Sequence, residues 1–281
     1  MATITVAEFS GACFGVERAL RLAHEASAAK PGPVRTLGPI IHNPRVVDDL
    51  AGEGVGSVGD PEDMDRGTLI IRAHGVPPET MERARAIGLD VVDATCPFVL
   101  RAQRAAASLA EDGYQVVVVG EPDHPEVAGI LGAAGEGSVA VTEPGGLAGI
   151  ELARKVGVVA QTTQTEAALS AVVSALCPRI TELRVHNTIC TATSQRQESA
   201  RELASRSELM IVIGGRSSGN TRRLFEICAA ACSNSHHIEA ASEIDPSWVE
   251  GCSAIGVTAG ASTPSSHIDE VTSRLEELVG A

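Results

Sequence analysis

One stretch decides the fold: Leu89-Asp90-Val91-Val92-Asp93-Ala94-Thr95-Cys96-Pro97. A short apolar run ends at a cysteine and a proline, and an alanine-rich segment typical of a helix follows. Proline is favoured at the first position of a helix, so Cys96 is predicted to lie at a strand-to-helix turn. The same arrangement recurs around Cys13 and Cys190, which puts one such cysteine in each third of the 281-residue chain. Three lobes could thereby deliver three thiolates to one central point.

On both sides of this stretch, short β-branched runs alternate with alanine-rich amphipathic stretches along the chain. This alternation predicts an α/β fold built from βαβ units with mainly parallel sheets. The predicted strands are Thr3–Val6, Val34–Leu37, Leu69–Arg72, Val91–Asp93, Gln115–Gly120, Ser138–Thr142, Lys155–Ala160, Arg184–Asn187, Leu209–Gly214 and Ala254–Thr258. The predicted helices are Phe14–Ala26, Arg45–Ala51, Pro78–Ile87, Pro97–Glu111, Glu126–Ala134, Glu166–Leu176, Ser194–Ser205, Thr221–Ala231 and Ser266–Leu278.

Composition narrows the classes of partner. With 22 basic and 36 acidic residues the net charge is −14, which argues against nucleic acid or an anionic membrane surface as a partner. There is no apolar run of about 18 residues and no charged signal-peptide start, so a cytoplasmic protein with a small-molecule partner is expected. Seven cysteines in a reducing compartment favour ligation or burial over disulfides.

The three turn cysteines admit more than one chemistry. Structural zinc sites usually use four ligands with a short CxxC-type pair, and the chain has no such pair. Three thiolates without a fourth suit a 4Fe-4S cube that keeps one iron open as a Lewis acid. Three cysteines buried as small hydrophobic residues fit the spacing about equally well. Packing fits the remaining cysteines better; these are Cys177, Cys228, Cys232 and Cys252.

Polar residues follow the predicted strands, where parallel sheets bind ligands. Histidines at three such tips favour a shared anion site, because imidazoles can donate hydrogen bonds to phosphate oxygens. These are His42, His74 and His124, and short neutral donors on other tips are Ser218, Asn220 and Ser262. Glu126 at a helix start is ordinarily a solvated carboxylate, yet beside a bound substrate it could donate protons. Thr162 and Thr163 could orient a substrate hydroxyl.

Seven segments in order carry a family resemblance over essentially the whole chain. They are Cys13-Phe14-Gly15-Val16-Glu17-Arg18-Ala19, His42-Asn43, Ala73-His74-Gly75-Val76, Asp93-Ala94-Thr95-Cys96-Pro97, His124-Pro125-Glu126-Val127, Gln161-Thr162-Thr163 and Val257-Thr258-Ala259-Gly260-Ala261-Ser262. The chain resembles the 4-hydroxy-3-methylbut-2-enyl diphosphate reductase family, whose reaction ends the non-mevalonate isoprenoid route.

The resemblance implies a trefoil of three α/β lobes around a central iron-sulfur cluster. The lobes would comprise residues 14–95, 96–189 and 190–281, the last completed by an N-terminal strand in 1–13. One 4Fe-4S cluster would be held by Cys13, Cys96 and Cys190, with one iron not bound by cysteine. The implied catalytic residues are Glu126, Thr162 and His124. The implied substrate-binding residues are His42, His74, His124, Thr162, Ser218, Gly219, Asn220 and Ser262.

The reaction so implied removes the hydroxyl of an allylic diphosphate with two electrons and protons, giving isopentenyl and dimethylallyl diphosphate and water. The electron donor would be a carrier such as ferredoxin or flavodoxin. The chain departs from the usual family pattern at Thr191, Gln195 and Gly219. These departures leave two alternatives: a paralogue with the same cluster acting on another substrate, and a non-catalytic cluster-based sensor, against which Glu126 argues.

Overall fold

The computed structural model describes residues 2–280, an α/β chain in which strands and helices alternate. The strands are β1 Thr3–Val6, β2 Val34–Leu37, β3 Val55–Val58, β4 Thr68–Ile71, β5 Asp90–Asp93, β6 Gln115–Val119, β7 Val139–Val141, β8 Lys155–Ala160, β9 Glu182–His186, β10 Leu209–Ile213, β11 Ser235–Ile238 and β12 Ala254–Ala259. The helices are α1 Phe14–Ala29, α2 Pro44–Gly52, α3 Pro78–Ala86, α4 Pro97–Glu111, α5 Pro125–Ala134, α6 Glu166–Leu176, α7 Thr191–Ala204, α8 Gly219–Ala231 and α9 Ser265–Gly280.

The strands form three parallel sheets of four strands each. The first sheet has the order β3-β2-β4-β5, the second β7-β6-β8-β9, and the third β1-β12-β10-β11. Every strand pair is parallel. Strand β1 pairs with β12 in the third sheet, with Thr3 opposite Ala254. The predicted α/β class with parallel sheets is therefore confirmed.

The predicted elements agree with the structure except at two sheet edges. All nine predicted helices and ten predicted strands are present, with ends shifted by three residues or fewer. The two strands that the prediction misses are β3 and β11, which both lie at an edge. Their sequences, Val-Gly-Ser-Val and Ser-His-His-Ile, have few branched apolar residues because an edge strand is covered on fewer sides.

The chain divides into two compact units. The first unit contains the described residues up to Val16, His42–Arg45, and the chain from Thr191 onward, including the third sheet. The second unit contains Glu17–Ile41 and Val46–Cys190, with the first and second sheets. The three domain boundaries given by the sequence stay a prediction. Among residues 2–280, none of the helices combines the length and the apolar character that crossing a membrane requires.

Two of the helices that follow the turn cysteines leave one sheet and pack on the next. Helix α4 comes after β5 of the first sheet, yet it packs on the second sheet, where a Cβ on Gly157 would lie 2.8 Å from the methyl groups of Leu109. Helix α7 comes after β9 of the second sheet, and its Leu203 packs on the third sheet beside Gly256. Glycine in β8 and β12 thus admits the helices closely. Cys96 and Cys190 lie at these two crossings.

Candidate active site

The three turn cysteines share one backbone geometry. Each directly precedes the first residue of a helix: Cys13 precedes α1, Cys96 caps α4, and Cys190 precedes α7. Each is half-buried and forms no disulfide within the described chain. Their backbone N–H groups donate to carbonyl oxygens just beyond a neighbouring strand. The three acceptors are Ala261 for Cys13 at 3.1 Å, Ala73 for Cys96 at 3.0 Å, and Thr162 for Cys190 at 3.0 Å.

This donor set fits the implied iron-sulfur cluster. Thiolates are the ligands of such clusters, and the positive end of a helix favours negative charge at the residue that precedes it. Cys228 differs, because it is fully buried in an apolar cluster and burial raises the pKa of its thiol to about 12. Cys232 is also buried, which confirms the predicted packing role of this pair. The same prediction is wrong for Cys177, which is exposed.

Glu126 is a buried carboxyl at the start of α5 in the second unit, with 2% of its surface exposed. Its Oε1 accepts from the Thr162 backbone N–H at 2.6 Å, and its Oε2 accepts from the Thr162 hydroxyl at 3.0 Å. Burial raises the pKa of this carboxyl to about 7, although the two hydrogen bonds from Thr162 favour the ionised form. Such a group can both give and take a proton near neutral pH.

Two histidines of the second unit lie edge to face, with the ring centroids of His74 and His124 5.5 Å apart. His124 is the N-cap of α5, and its Nδ1 accepts from the backbone N–H of Glu126 at 3.1 Å. An accepting Nδ1 carries no proton, so the neutral ring has its proton on Nε2. His124 can therefore donate a hydrogen bond through Nε2 without being charged.

Gln161, the residue before Thr162, is a buried polar residue that was not among the predicted site residues. Gln161 is 1% exposed, and its Oε1 accepts from the Glu121 backbone N–H at 3.0 Å. Its Nε2 is buried with no hydrogen-bond partner among residues 2–280. An unsatisfied buried donor is costly, so it is a place where a ligand could bind. The position of Gln161 directly after β8 was the available signal.

In the first unit, the turn from β10 to α8 carries the predicted anion-binding residues. Ser218 caps α8, and its Oγ accepts from the Thr221 backbone N–H at 3.3 Å, which leaves the hydroxyl proton to donate elsewhere. Asn220 is 5% exposed, and neither its Nδ2 nor its Oδ1 has a partner within the described chain. Gly219 is the first residue of α8. A helix start with an unsatisfied amide suits an anion.

The same turn closely approaches the segment that begins at His42. A Cβ on Gly215 would lie 2.7 Å from the His42 carbonyl oxygen, so a side chain there would displace the backbone. The Ser262 hydroxyl donates to that carbonyl at 3.0 Å, and Asn43 Nδ2 donates to the Ser262 carbonyl at 2.8 Å. Ser262 must exchange this bond before its hydroxyl can donate to a phosphate. Asn43 is buried, and its bond to the Ser262 backbone is a contact that the sequence pattern does not predict.

Within each unit, several of the predicted site residues lie together. The second unit brings Glu126, Thr162 and the Cys190 backbone together, and places His74 beside His124. The first unit brings His42 and Ser262 together, with the Cys13 backbone bonded to the residue before Ser262. Ser218, Gly219 and Asn220 share one helix start.

Comparison with known proteins gives one consistent result. The LytB protein family matches residues 4–276. A curated protein from Pelobacter propionicus is 50% identical over 98% of both chains, and one from Geobacter sulfurreducens is 51% identical over 98% of this chain and 97% of its own. One from Aquifex aeolicus is 47% identical over 99% of this chain and 97% of its own. All three are named 4-hydroxy-3-methylbut-2-enyl diphosphate reductase.

Solved structures agree with the curated relatives. A structure described as (E)-4-hydroxy-3-methyl-but-2-enyl diphosphate reductase, the terminal enzyme of the non-mevalonate pathway, is 46% identical with a TM-score of 0.73, covering 99% of this chain and 100% of its own. The E-1-hydroxy-2-methyl-but-2-enyl-4-diphosphate reductase from Plasmodium falciparum is 25% identical with a TM-score of 0.92 over 98% of this chain and 88% of its own.

Proposed function

Since the chain belongs to the LytB protein family, we propose that it is a 4-hydroxy-3-methylbut-2-enyl diphosphate reductase. The C–O bond of the allylic alcohol breaks, two electrons and two protons are consumed, and isopentenyl or dimethylallyl diphosphate and water are formed. The buried Glu126 carboxyl, bonded twice to Thr162, is the observation that carries the proposal, because the reaction needs a proton donor that works near neutral pH.

The cluster ligands in this proposal are Cys13, Cys96 and Cys190, each half-buried at a helix start. When bound, a 4Fe-4S cluster with one iron not held by cysteine supplies electrons and a Lewis acid for the substrate oxygen. The electrons come from a carrier such as ferredoxin or flavodoxin. The similarity of the turns that hold the three cysteines, and the family to which the chain belongs, support this ligand set.

Binding of the diphosphate is assigned to side-chain and backbone hydrogen-bond donors. In the first unit these are Asn220 Nδ2, the Ser218 hydroxyl, the Gly219 backbone amide at the start of α8, and the His42 and Ser262 side chains. In the second unit they are His74 and Nε2–H of His124. Neutral donors with preset geometry bind an anion without the desolvation cost of a buried cation. The chain's net charge of −14 is consistent with recognition by local donors rather than by a basic field.

The proton chemistry is assigned to Glu126 and Thr162. With its pKa raised to about 7, Glu126 is protonated in a large fraction of molecules at neutral pH, and it is re-protonated readily after it gives a proton away. The Thr162 hydroxyl, which donates to Oε2, lies where it can orient the substrate hydroxyl toward the carboxyl. His124 holds the backbone N–H of Glu126 and so positions the same group.

Anaerobic turnover tests the proposal. Purified holoenzyme is incubated with 4-hydroxy-3-methylbut-2-enyl diphosphate and a chemical reductant, and the products are separated. Isopentenyl and dimethylallyl diphosphate are expected in reductant-dependent amounts. An iron-loaded protein that consumes no substrate, or that releases another product, would refute the assignment.

A further inference from the structure

Each turn that precedes a proposed cluster cysteine is bonded to an arginine. Arg18 Nη1 donates to the carbonyl of Thr95, the residue before Cys96, at 3.1 Å, and its Nη2 donates to the Asp93 carbonyl at 3.3 Å. Arg101 Nη2 donates to the carbonyl of Ile189, the residue before Cys190, at 3.3 Å. The same relation therefore occurs twice within the second unit.

The third cysteine turn, in the first unit, shows the same relation. Arg196 Nη2 donates at 2.9 Å to the carbonyl of Gly11, two residues before Cys13, and its Nη1 donates at 3.1 Å to the Ala192 carbonyl, two residues after Cys190. Gly11 has a φ of +80°, a conformation that glycine adopts without strain and that turns its carbonyl toward the guanidinium. Arg196 is 4% exposed, although burying a cation is costly.

We propose that Arg18, Arg101 and Arg196 are positioning residues for the cluster, which hold the three cysteine turns and raise the reduction potential of the cluster through their fixed positive charges. The inference rests on the proposed ligand set. A planar guanidinium can bridge two carbonyls at once, as Arg18 and Arg196 do, and it stays charged at every working pH. Reduction adds negative charge to a cluster that three thiolates already make anionic, so a nearby cation favours the reduced form.

The expected effect of each arginine on the reduction potential follows from its burial and from the charges near it. The effect of a charge grows as its surroundings become less polar, so the buried Arg196 should matter most and the exposed Arg101 least. Arg18 is half-buried and bonds beside Asp93, whose Oδ1 accepts from the Thr95 backbone N–H at 2.9 Å. Removing Arg18 would leave the Thr95 and Asp93 carbonyls without this donor.

The test is an anaerobic redox titration of the iron-loaded protein, followed by electron paramagnetic resonance. Arg18→Gln, Arg101→Gln and Arg196→Gln should each lower the midpoint potential, with the largest shift for Arg196, and the Arg101 shift should shrink as salt is added. Lysine at the same positions keeps the charge and should restore most of the potential. Arg104→Gln is the matched control, since Arg104 is exposed on α4 and forms no hydrogen bond or ion pair within residues 2–280.

The outcomes separate this inference from the proposed function. Wild-type protein that holds no iron would refute the cluster itself. Full iron content with unshifted potentials in Arg18→Gln and Arg101→Gln would overturn the role of the arginines alone, as would a shift of the same size in Arg104→Gln. If Arg196→Gln fails to load iron, Arg196→Lys tests the charge at that position: a potential near the wild-type value supports the inference, and an iron-loaded Arg196→Lys protein with a clearly lowered potential contradicts it.

Discussion

Glu126 is the residue on which the proposed chemistry most depends. Glu126→Gln keeps the shape of the side chain, and its amide oxygen can still accept from the Thr162 backbone N–H. It cannot donate an acidic proton. We expect turnover to fall by about 10²–10⁴-fold while substrate binding and iron content are kept. In the wild type, kcat should fall as pH rises through about 7, because the protonated carboxyl is lost there.

The comparison for this prediction is Glu111→Gln, since Glu111 is exposed at the end of α4. That variant should keep both the wild-type rate and its pH profile. If Glu126→Gln turned over at a near-normal rate, the proton would come from elsewhere and the catalytic assignment would be wrong.

The raised pKa of Glu126 should also make the free energy of unfolding depend on pH. In the unfolded chain Glu126 loses its proton near its ordinary pKa of 4.5, whereas in the folded protein it keeps the proton up to about pH 7. Folding therefore takes up a proton between these values, and the free energy of unfolding should fall as pH rises through this window, by about 3 kcal/mol in all. Below pH 4.5 and above pH 7 this contribution should not change further with pH.

Denaturant unfolding of the wild type and Glu126→Gln at pH 5 and pH 8 measures this effect. Glutamine does not titrate, so the variant should gain stability relative to the wild type at the higher pH. A difference between the two proteins that is the same at both pH values would show that folding does not raise the pKa of Glu126.

In the turn from β10 to α8, the backbone at Gly215 closely approaches the backbone at His42. Gly215→Ala would place a Cβ 2.7 Å from the His42 carbonyl oxygen, so the turn must shift together with Ser218 and Asn220. We expect KM for the diphosphate substrate, and the concentration of pyrophosphate that inhibits, to rise by about tenfold or more, equivalent to about 1.4 kcal/mol. Single-turnover chemistry in the bound state should change less.

Gly52→Ala is the control, because nothing lies within 4 Å of a Cβ at that position in α2. It should leave KM and inhibition by pyrophosphate unchanged. Unchanged pyrophosphate inhibition in Gly215→Ala, with the protein folded, would argue against the β10–α8 turn as the anion site.

Sequence patterns predict the helices and the central strands but miss two edge strands, because burial constrains central strands more strongly. Central strands such as β8 and β10 are almost wholly buried, so they must be apolar and β-branched along their length. The edge strand β11 contains two histidines, and its pairing with β10 depends on backbone hydrogen bonds that no side-chain pattern records. Whether this segment forms a strand depends on its pairing with β10, which the sequence pattern does not show.

The proposed cluster draws its three cysteine ligands from segments that lie far apart in the chain. Serine in place of Cys13, Cys96 or Cys190 should abolish the stable cluster, because each removes one of three proposed ligands. Iron and acid-labile sulfide content after anaerobic purification measure the loss. Cys228→Ala and Cys177→Ser are the controls, one in the apolar core and one exposed. Both should keep full iron content, and cluster retention in the three serine variants would contradict the ligand set.

The sequence by itself determined the class of fold, the three cysteine turns and the residues at the strand tips. These features depend on local patterns: apolar periodicity, a proline at the start of α4, and polar residues where buried strands end. Family membership also follows from the sequence, since the LytB match spans residues 4–276. Burial of Glu126 could not be seen there, because a glutamate at a helix start is ordinarily solvated.

The raised pKa of Glu126, the tautomer of His124 and the arginine bonds at the cysteine turns depend on how the chain packs. The pKa and the arginine bonds depend on partners far apart in sequence: Thr162 lies 36 residues from Glu126, and Gly11 lies 185 from Arg196. The pKa of a carboxyl is set by the solvent that the fold removes and the donors that it supplies. Those are properties of the packed molecule, which a local pattern of residues does not contain.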